Sequence, residues 1–248
     1  MSLVTTDWVL DNLNSLKIID ATWHMPDQKR NSAEEYRNAH IPNSIFFDLD
    51  ENSKKDTDLP HMLPKQEAWA KIMSSLGINN NDDILIYDNS DLKSSCRCWF
   101  SLLYFGHDEK KIHILNGGLK KWIFENKPIT KDTTEIIESN YIANEKGNLV
   151  INLDQVKKNI LSKSFNVIDA RSLERFEGKV SEPRKGLRSG HIQNSICLPF
   201  SLCINQKTGE FKNLEELREL FNQYENIEKR LDPVFTCGSG VTAAVLAY

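Results

Sequence analysis

The segment Thr236-Cys237-Gly238-Ser239-Gly240-Val241-Thr242-Ala243 holds the residues best suited to chemistry. It follows a short apolar run, Val234-Phe235, that reads as a strand. It precedes a helix-forming run, Ala243 to Tyr248. A cysteine at such a strand-to-helix turn sits where several backbone N–H groups converge. Such a loop stabilises an anion and favours a thiolate at neutral pH. Gly238 and Gly240 let the backbone curl around the sulfur without Cβ clashes. No residue of the loop is basic, so the anion it serves is the sulfur and the group it attacks, not a bulky polyanion. The plainer reading is a core cysteine beside a glycine turn. The alignment of strand, loop and helix favours the nucleophile.

Composition narrows the class. The chain has 248 residues, 40% hydrophobic and 27% charged, which is ordinary for a globular protein of one large or two smaller domains. A net charge of −4 gives no reason to expect nucleic-acid binding. No apolar run approaches the roughly 20 residues that span a bilayer. The start, Met1 to Trp8, lacks the basic and apolar regions of a secretory signal. The cysteines are Cys96, Cys98, Cys197, Cys203 and Cys237. An odd count without a signal implies reduced thiols and a cytoplasmic location. Cys96-Arg97-Cys98 is too tightly spaced for a zinc pair, so both cysteines read as helix residues.

An internal repeat supplies the elements that position the loop. Ile18-Ile19-Asp20-Ala21 matches Val167-Ile168-Asp169-Ala170. His40-Ile41-Pro42-Asn43-Ser44-Ile45 matches His191-Ile192-Gln193-Asn194-Ser195-Ile196. Ile84 to Asp88 aligns with the strand that ends at Cys237. Two copies of one α/β domain follow, 1–128 and 145–248, joined by a linker over 129–144. The pattern predicts strands over 17–21, 44–47, 83–88 and 111–115. It predicts helices near 6–13, 32–38, 65–76, 93–105 and 119–126, with Ser32 as a polar N-cap. Alternating strands and helices mean a mostly parallel sheet covered on both faces, with sites at the C-terminal strand ends. Asp88 and Cys237 hold that position in their respective copies. One copy carries the nucleophile and the other is left for scaffolding.

These residues resemble the tandem rhodanese-type sulfurtransferases, specifically the 3-mercaptopyruvate sulfurtransferase branch. The resemblance rests on Asp20-Ala21-Thr22-Trp23, His40 to Asp48, His61-Met62-Leu63-Pro64, Phe105-Gly106-His107 and Leu115 to Leu119. It rests also on Arg175-Phe176, Glu182-Pro183-Arg184 and Cys237 to Thr242. It implies a Cys237 persulfide that carries sulfane sulfur from 3-mercaptopyruvate to cyanide or a thiol such as a thioredoxin, with release of pyruvate. It places Arg175 and Arg184 at the donor carboxylate, where guanidinium forks pair bidentately. From composition alone both read as surface arginines. It also implies a relay of Asp50, His61 and Ser239, with Gly238, Gly240, Val241 and Thr242 cradling the donor. His61 otherwise reads as a loop histidine beside Pro60. His40 and His191 recur in both copies, which points to a shared structural role.

Thiosulfate-preferring members carry basic residues directly after the cysteine, so Gly238 and Ser239 favour mercaptopyruvate. The alternatives are a thiosulfate sulfurtransferase, or a non-catalytic rhodanese-like binding or sulfur-carrier module. A phosphatase of the same fold needs an arginine six residues after the cysteine, and Ala243 stands there. No metal or organic cofactor is implied. Gln193 replaces the family's usual proline, which affects only local turn stiffness. The second copy has no counterpart of the 111–115 strand or the Trp122 helix. The expectation is therefore a truncated second domain whose activity depends on residues past Tyr248.

Overall fold

The computed structural model describes residues 2–224 and 231–248. The first unit runs β1 (Ser2–Val4), α1 (Thr6–Asn12), β2 (Lys17–Asp20), α2 (Ser32–Asn38), β3 (Ser44–Phe46), α3 (Gln66–Ser75), β4 (Ile84–Tyr87), α4 (Ser95–Tyr104), β5 (Ile112–Leu115) and α5 (Gly118–Phe124). Its five strands are parallel, in the order β1-β5-β4-β2-β3. Ile84-Leu85-Ile86-Tyr87 is buried throughout, as a central parallel strand covered on both faces requires. One face packs on Trp69, Met73 and Phe105, the other on Val9, Leu119 and Trp122. The predicted strands and helices of this unit are present. β1 was not foreseen, because three residues are too few to show a period. The cap of α2 is Asn31, not Ser32: its side chain accepts the Glu34 N–H at 3.0 Å, and Ser32 begins the helix.

The second unit runs α6 (Leu153–Ser162), β6 (Asn166–Asp169), α7 (Leu173–Phe176), β7 (Ile196–Cys197), α8 (Leu214–Asn222), β8 (Pro233–Thr236) and α9 (Ala243–Ala247). Its sheet, β7-β6-β8, is parallel and repeats the β3-β2-β4 part of the first. Ile168 pairs with Ile196 and Phe235, as Ile19 pairs with Ile45 and Ile86. β5 covers the outer side of β4, whereas among the described residues β8 is an edge strand.

The recurring histidines do the same structural work. Nδ1 of His40 donates to Tyr36 O at 2.6 Å, and Nδ1 of His191 donates to Phe176 O at 2.8 Å. Each ring also stacks on that same neighbour's ring, with centroids 4.2 and 3.9 Å apart.

Two features join the units. The segment after α5 lies against the first unit: Ser139 N–H donates to Ser74 O at 3.0 Å, and Asn144 N–H to Phe105 O at 2.9 Å. Tyr141 and Ala143 of that segment are core residues. The core that holds Cys96, Trp99 and Leu102 of α4 also takes in Val241, Ala244 and Val245. Helix α9 therefore packs across the boundary, against α4.

Candidate active site

Cys237 follows the last residue of β8, and its loop leads into α9. Its Sγ accepts the Gly240 N–H at 3.1 Å, so the loop is shaped to favour negative sulfur. Gly240 sits at φ +83°, a left-handed conformation suited to glycine, and a Cβ there would lie 2.9 Å from Arg97 Nη1. A Cβ on Gly238 would meet Arg175 Nη2 at 3.2 Å. Arg184 Nη2 donates to Gly238 O at 2.7 Å. Each glycine of the loop thus faces a guanidinium.

The other four thiols are in different surroundings. Burial pushes Cys96 and Cys98 far up. It also raises Cys197 and Cys203, both to about 11. Cys197 donates its S–H to Arg171 O at 3.7 Å. These four are protonated at neutral pH and are poor nucleophiles.

The equivalent loop of the first unit is filled by its own side chain. Asp88 accepts the Ser90 N–H at 3.1 Å and the Ser95 N–H at 2.8 Å. A fixed carboxylate occupies the place that the second unit gives to sulfur.

Asp50 and His61 come together. His61 Nε2 lies 2.8 Å from Asp50 Oδ1, and Trp23 Nε1 donates to Asp50 Oδ2 at 2.9 Å. The His61 hydrogen bond is the main cause that holds the Asp50 carboxyl below the usual carboxylate range. The Trp23 ring meets the imidazole edge-on at 4.7 Å. His61 itself sits at φ +55°, a left-handed conformation that is uncommon outside glycine, though histidine adopts it more readily than most residues. Its Nδ1 is buried without a hydrogen-bond partner, so no direct bond runs from the imidazole to Ser239. Ser239 is partly exposed on the loop. The Val241 side chain is in the core at 2% exposure, which leaves its backbone for any ligand. Thr242 occupies the N-cap position of α9 without a side-chain cap bond.

The two expected carboxylate binders differ. Arg184 reaches the loop backbone, while Arg175 is engaged by Glu182, with Nη2 donating at 2.6 Å and Nε at 3.3 Å. Glu182 also accepts from Arg171 at 2.9 Å, and these arginines hold its carboxyl below the usual range. The sequence reading gave no role to Glu182, Trp23 or Arg97. For Arg97 a signal existed: a charge between Cys96 and Cys98-Trp99-Phe100 in an apolar helix is a buried charge. Nothing local reveals what it faces.

A part-exposed thiol on an anion-stabilising loop, in one of two duplicated parallel α/β units, is a setting in which sulfur chemistry could be carried. The rhodanese-like domain pattern matches residues 5–125 and again 152–248, and the chain belongs to the rhodanese family. It is 40% identical over 99% of its length to the Arabidopsis thaliana protein named thiosulfate/3-mercaptopyruvate sulfurtransferase 1, mitochondrial, and spans 70% of that protein. It is 36% identical over 98% of its length to the 3-mercaptopyruvate sulfurtransferase of Escherichia coli K12, covering 86% of it. The solved structure of SseA from Escherichia coli, described among 3-mercaptopyruvate sulfotransferases, superposes with a TM-score of 0.89 at 33% identity. That match covers 100% of this chain and 92% of the other. No helix among the described residues is long and apolar enough to cross a membrane.

Proposed function

We propose that this protein is a sulfurtransferase that takes sulfur from 3-mercaptopyruvate, holds it as a Cys237 persulfide and passes it to a thiol or to cyanide. The observation that carries the reading is the setting of Cys237: an N–H on its sulfur, and two arginines converging on Gly238. The names of the Arabidopsis and Escherichia coli relatives support the choice of donor.

In the proposed cycle the Cys237 thiolate attacks the donor sulfur. The C–S bond breaks and its electron pair stays with carbon as the pyruvate enolate, which takes up a proton. An acceptor thiolate then attacks the outer sulfur, and Cys237 leaves as thiolate. Arg175 and Arg184 hold the donor carboxylate. The backbone of Gly238, Gly240, Val241 and Thr242 cradles the sulfur. Asp50 orients His61. Ser239, which has no direct bond to His61 in this structure, moves the proton as the C–S bond breaks. In this assignment residues 1–128 form the supporting domain, 129–144 the connection and 145–248 the catalytic domain. A thioredoxin-type dithiol in the cytoplasm is the proposed acceptor.

A second donor reading, thiosulfate, is favoured by the number of guanidiniums around a loop that is itself neutral. Steady-state kinetics with each donor and a dithiol acceptor test the proposal. The expected result is pyruvate release in step with sulfur transfer, and a higher kcat/KM for mercaptopyruvate than for thiosulfate. Sulfur loading without pyruvate release would leave a sulfur carrier instead.

A further inference from the structure

Arg97 is the third residue of α4 and is only 7% exposed. A guanidinium has five N–H donors and is costly to bury without a counter-charge. Here Nη2 donates to His61 O at 2.6 Å, and Nε is buried with no partner. Among the described residues no carboxylate pairs with it. The group beside it that can carry a negative charge is the Cys237 sulfur, which accepts the N–H of Gly240, the residue that faces the guanidinium. Burial pulls Arg97 down to about 10, which leaves it cationic at neutral pH. A Cβ on Gly240 would lie only 2.9 Å from its Nη1, so the Cys237 loop packs closely on the guanidinium. Other charges near the loop are Arg175, matched by Glu182, and Arg184, spent on Gly238 O. Asp50 acts on His61 from the far side.

We propose that Arg97 is a positioning residue for the sulfur chemistry, its buried guanidinium being the counter-charge that keeps Cys237, and then its persulfide, anionic. The first unit thereby lends the cation that the loop sequence lacks. The same side chain ties the His61 backbone to the Cys237 loop, so nucleophile and relay share one fixed point. This rests on Cys237 being the nucleophile, and it deepens that reading.

The test is alkylation of Cys237 by iodoacetamide as a function of pH, followed by peptide mass spectrometry, in wild type, Arg97→Gln and Arg97→Lys. Arg97→Gln is expected to move the alkylation profile up by on the order of one pH unit and to slow labelling at pH 7 about tenfold. Arg97→Lys is expected to stay within about threefold of wild type, since it keeps the charge. A loosened structure would also expose Cys96 and Cys98 to labelling. In mercaptopyruvate turnover, Arg97→Gln is expected to lower kcat with little change in KM. A folded Arg97→Gln protein that labels on the wild-type profile overturns the proposal. Should Arg97→Gln fail to fold, wild type alkylated at Cys237 decides. The neutral carbamidomethyl form is expected to melt below the anionic carboxymethyl form, and equal melting overturns the proposal. None of the labelling or melting readouts uses a donor, so failure of the donor assignment would be seen separately.

Discussion

Glu182 grips Arg175 through two N–H contacts, and the same carboxylate also takes one from Arg171. An arginine expected at the donor carboxylate is thus already half-neutralised. The balance suits a donor with one negative charge better than one with two. Glu182→Gln is expected to release Arg175 and raise the charge of the site. The ratio of kcat/KM for thiosulfate over mercaptopyruvate should rise about threefold, a preference worth about 0.6 kcal/mol. An unchanged ratio would mean that Glu182 is only a structural brace.

Cys237→Ser is expected to abolish persulfide formation while the other four thiols remain. Those four are held protonated by burial. Mass spectrometry after donor treatment locates the added sulfur. Sulfur found on Cys96 or Cys203 would refute the assignment.

Arg184→Ala is expected to raise KM for mercaptopyruvate more than it slows transfer to the acceptor. The loss of a charge-assisted hydrogen bond costs roughly 1.5–3 kcal/mol, or one to two decades in kcat/KM. Arg175→Ala should behave alike, and the double variant should be non-additive if both hold one carboxylate. Donor kinetics indifferent to Arg184→Ala would move the carboxylate site elsewhere.

Asp20 gives a pH prediction. It is buried at the end of β2, and burial raises its carboxyl from 3.8 to about 6. The folded state therefore binds a proton more tightly than the unfolded state. The carboxyl is tolerated best when protonated, and stability is lost as pH rises from about 4 through 6. Asp20→Asn removes that titration while keeping an oxygen to accept the Thr22 N–H, now at 2.9 Å. Its melting temperature relative to wild type is expected to be higher at pH 8 than at pH 4. An equal difference at both pH values would show that Asp20 does not titrate in this window.

Much of this architecture was legible in the residues. Ile18 to Ala21 and Val167 to Ala170 announced the duplication because buried parallel strands tolerate few residue types. Cys237 announced itself because its loop needs glycines at fixed offsets. Asp50 and His61, eleven apart on a long loop, carry no periodic signal, and only the resemblance joined them. Arg97 and Glu182 escaped notice for a different reason. Their meaning lies in what they face across a loop or across the two units, and no short-range pattern encodes that. The stretch 129–144 read as a polar connector because its side chains are mostly polar. Its backbone nonetheless hydrogen-bonds to the first unit, and Tyr141 within it is buried.

The placement of α9 bears on how the chain reaches its native state. Trp99 and Tyr248 meet edge to face at 5.1 Å, although they stand at distant points of the chain. Val241, Ala244 and Val245 complete a core whose other walls come from Ile204 and from residues up to Ala143. Closing so long a loop is entropically slow, and α4 must wait with an open flank until it happens. The Cys237 loop packs against that flank. A molecule whose two halves have not docked would lack the α4 contacts that shape the Cys237 loop.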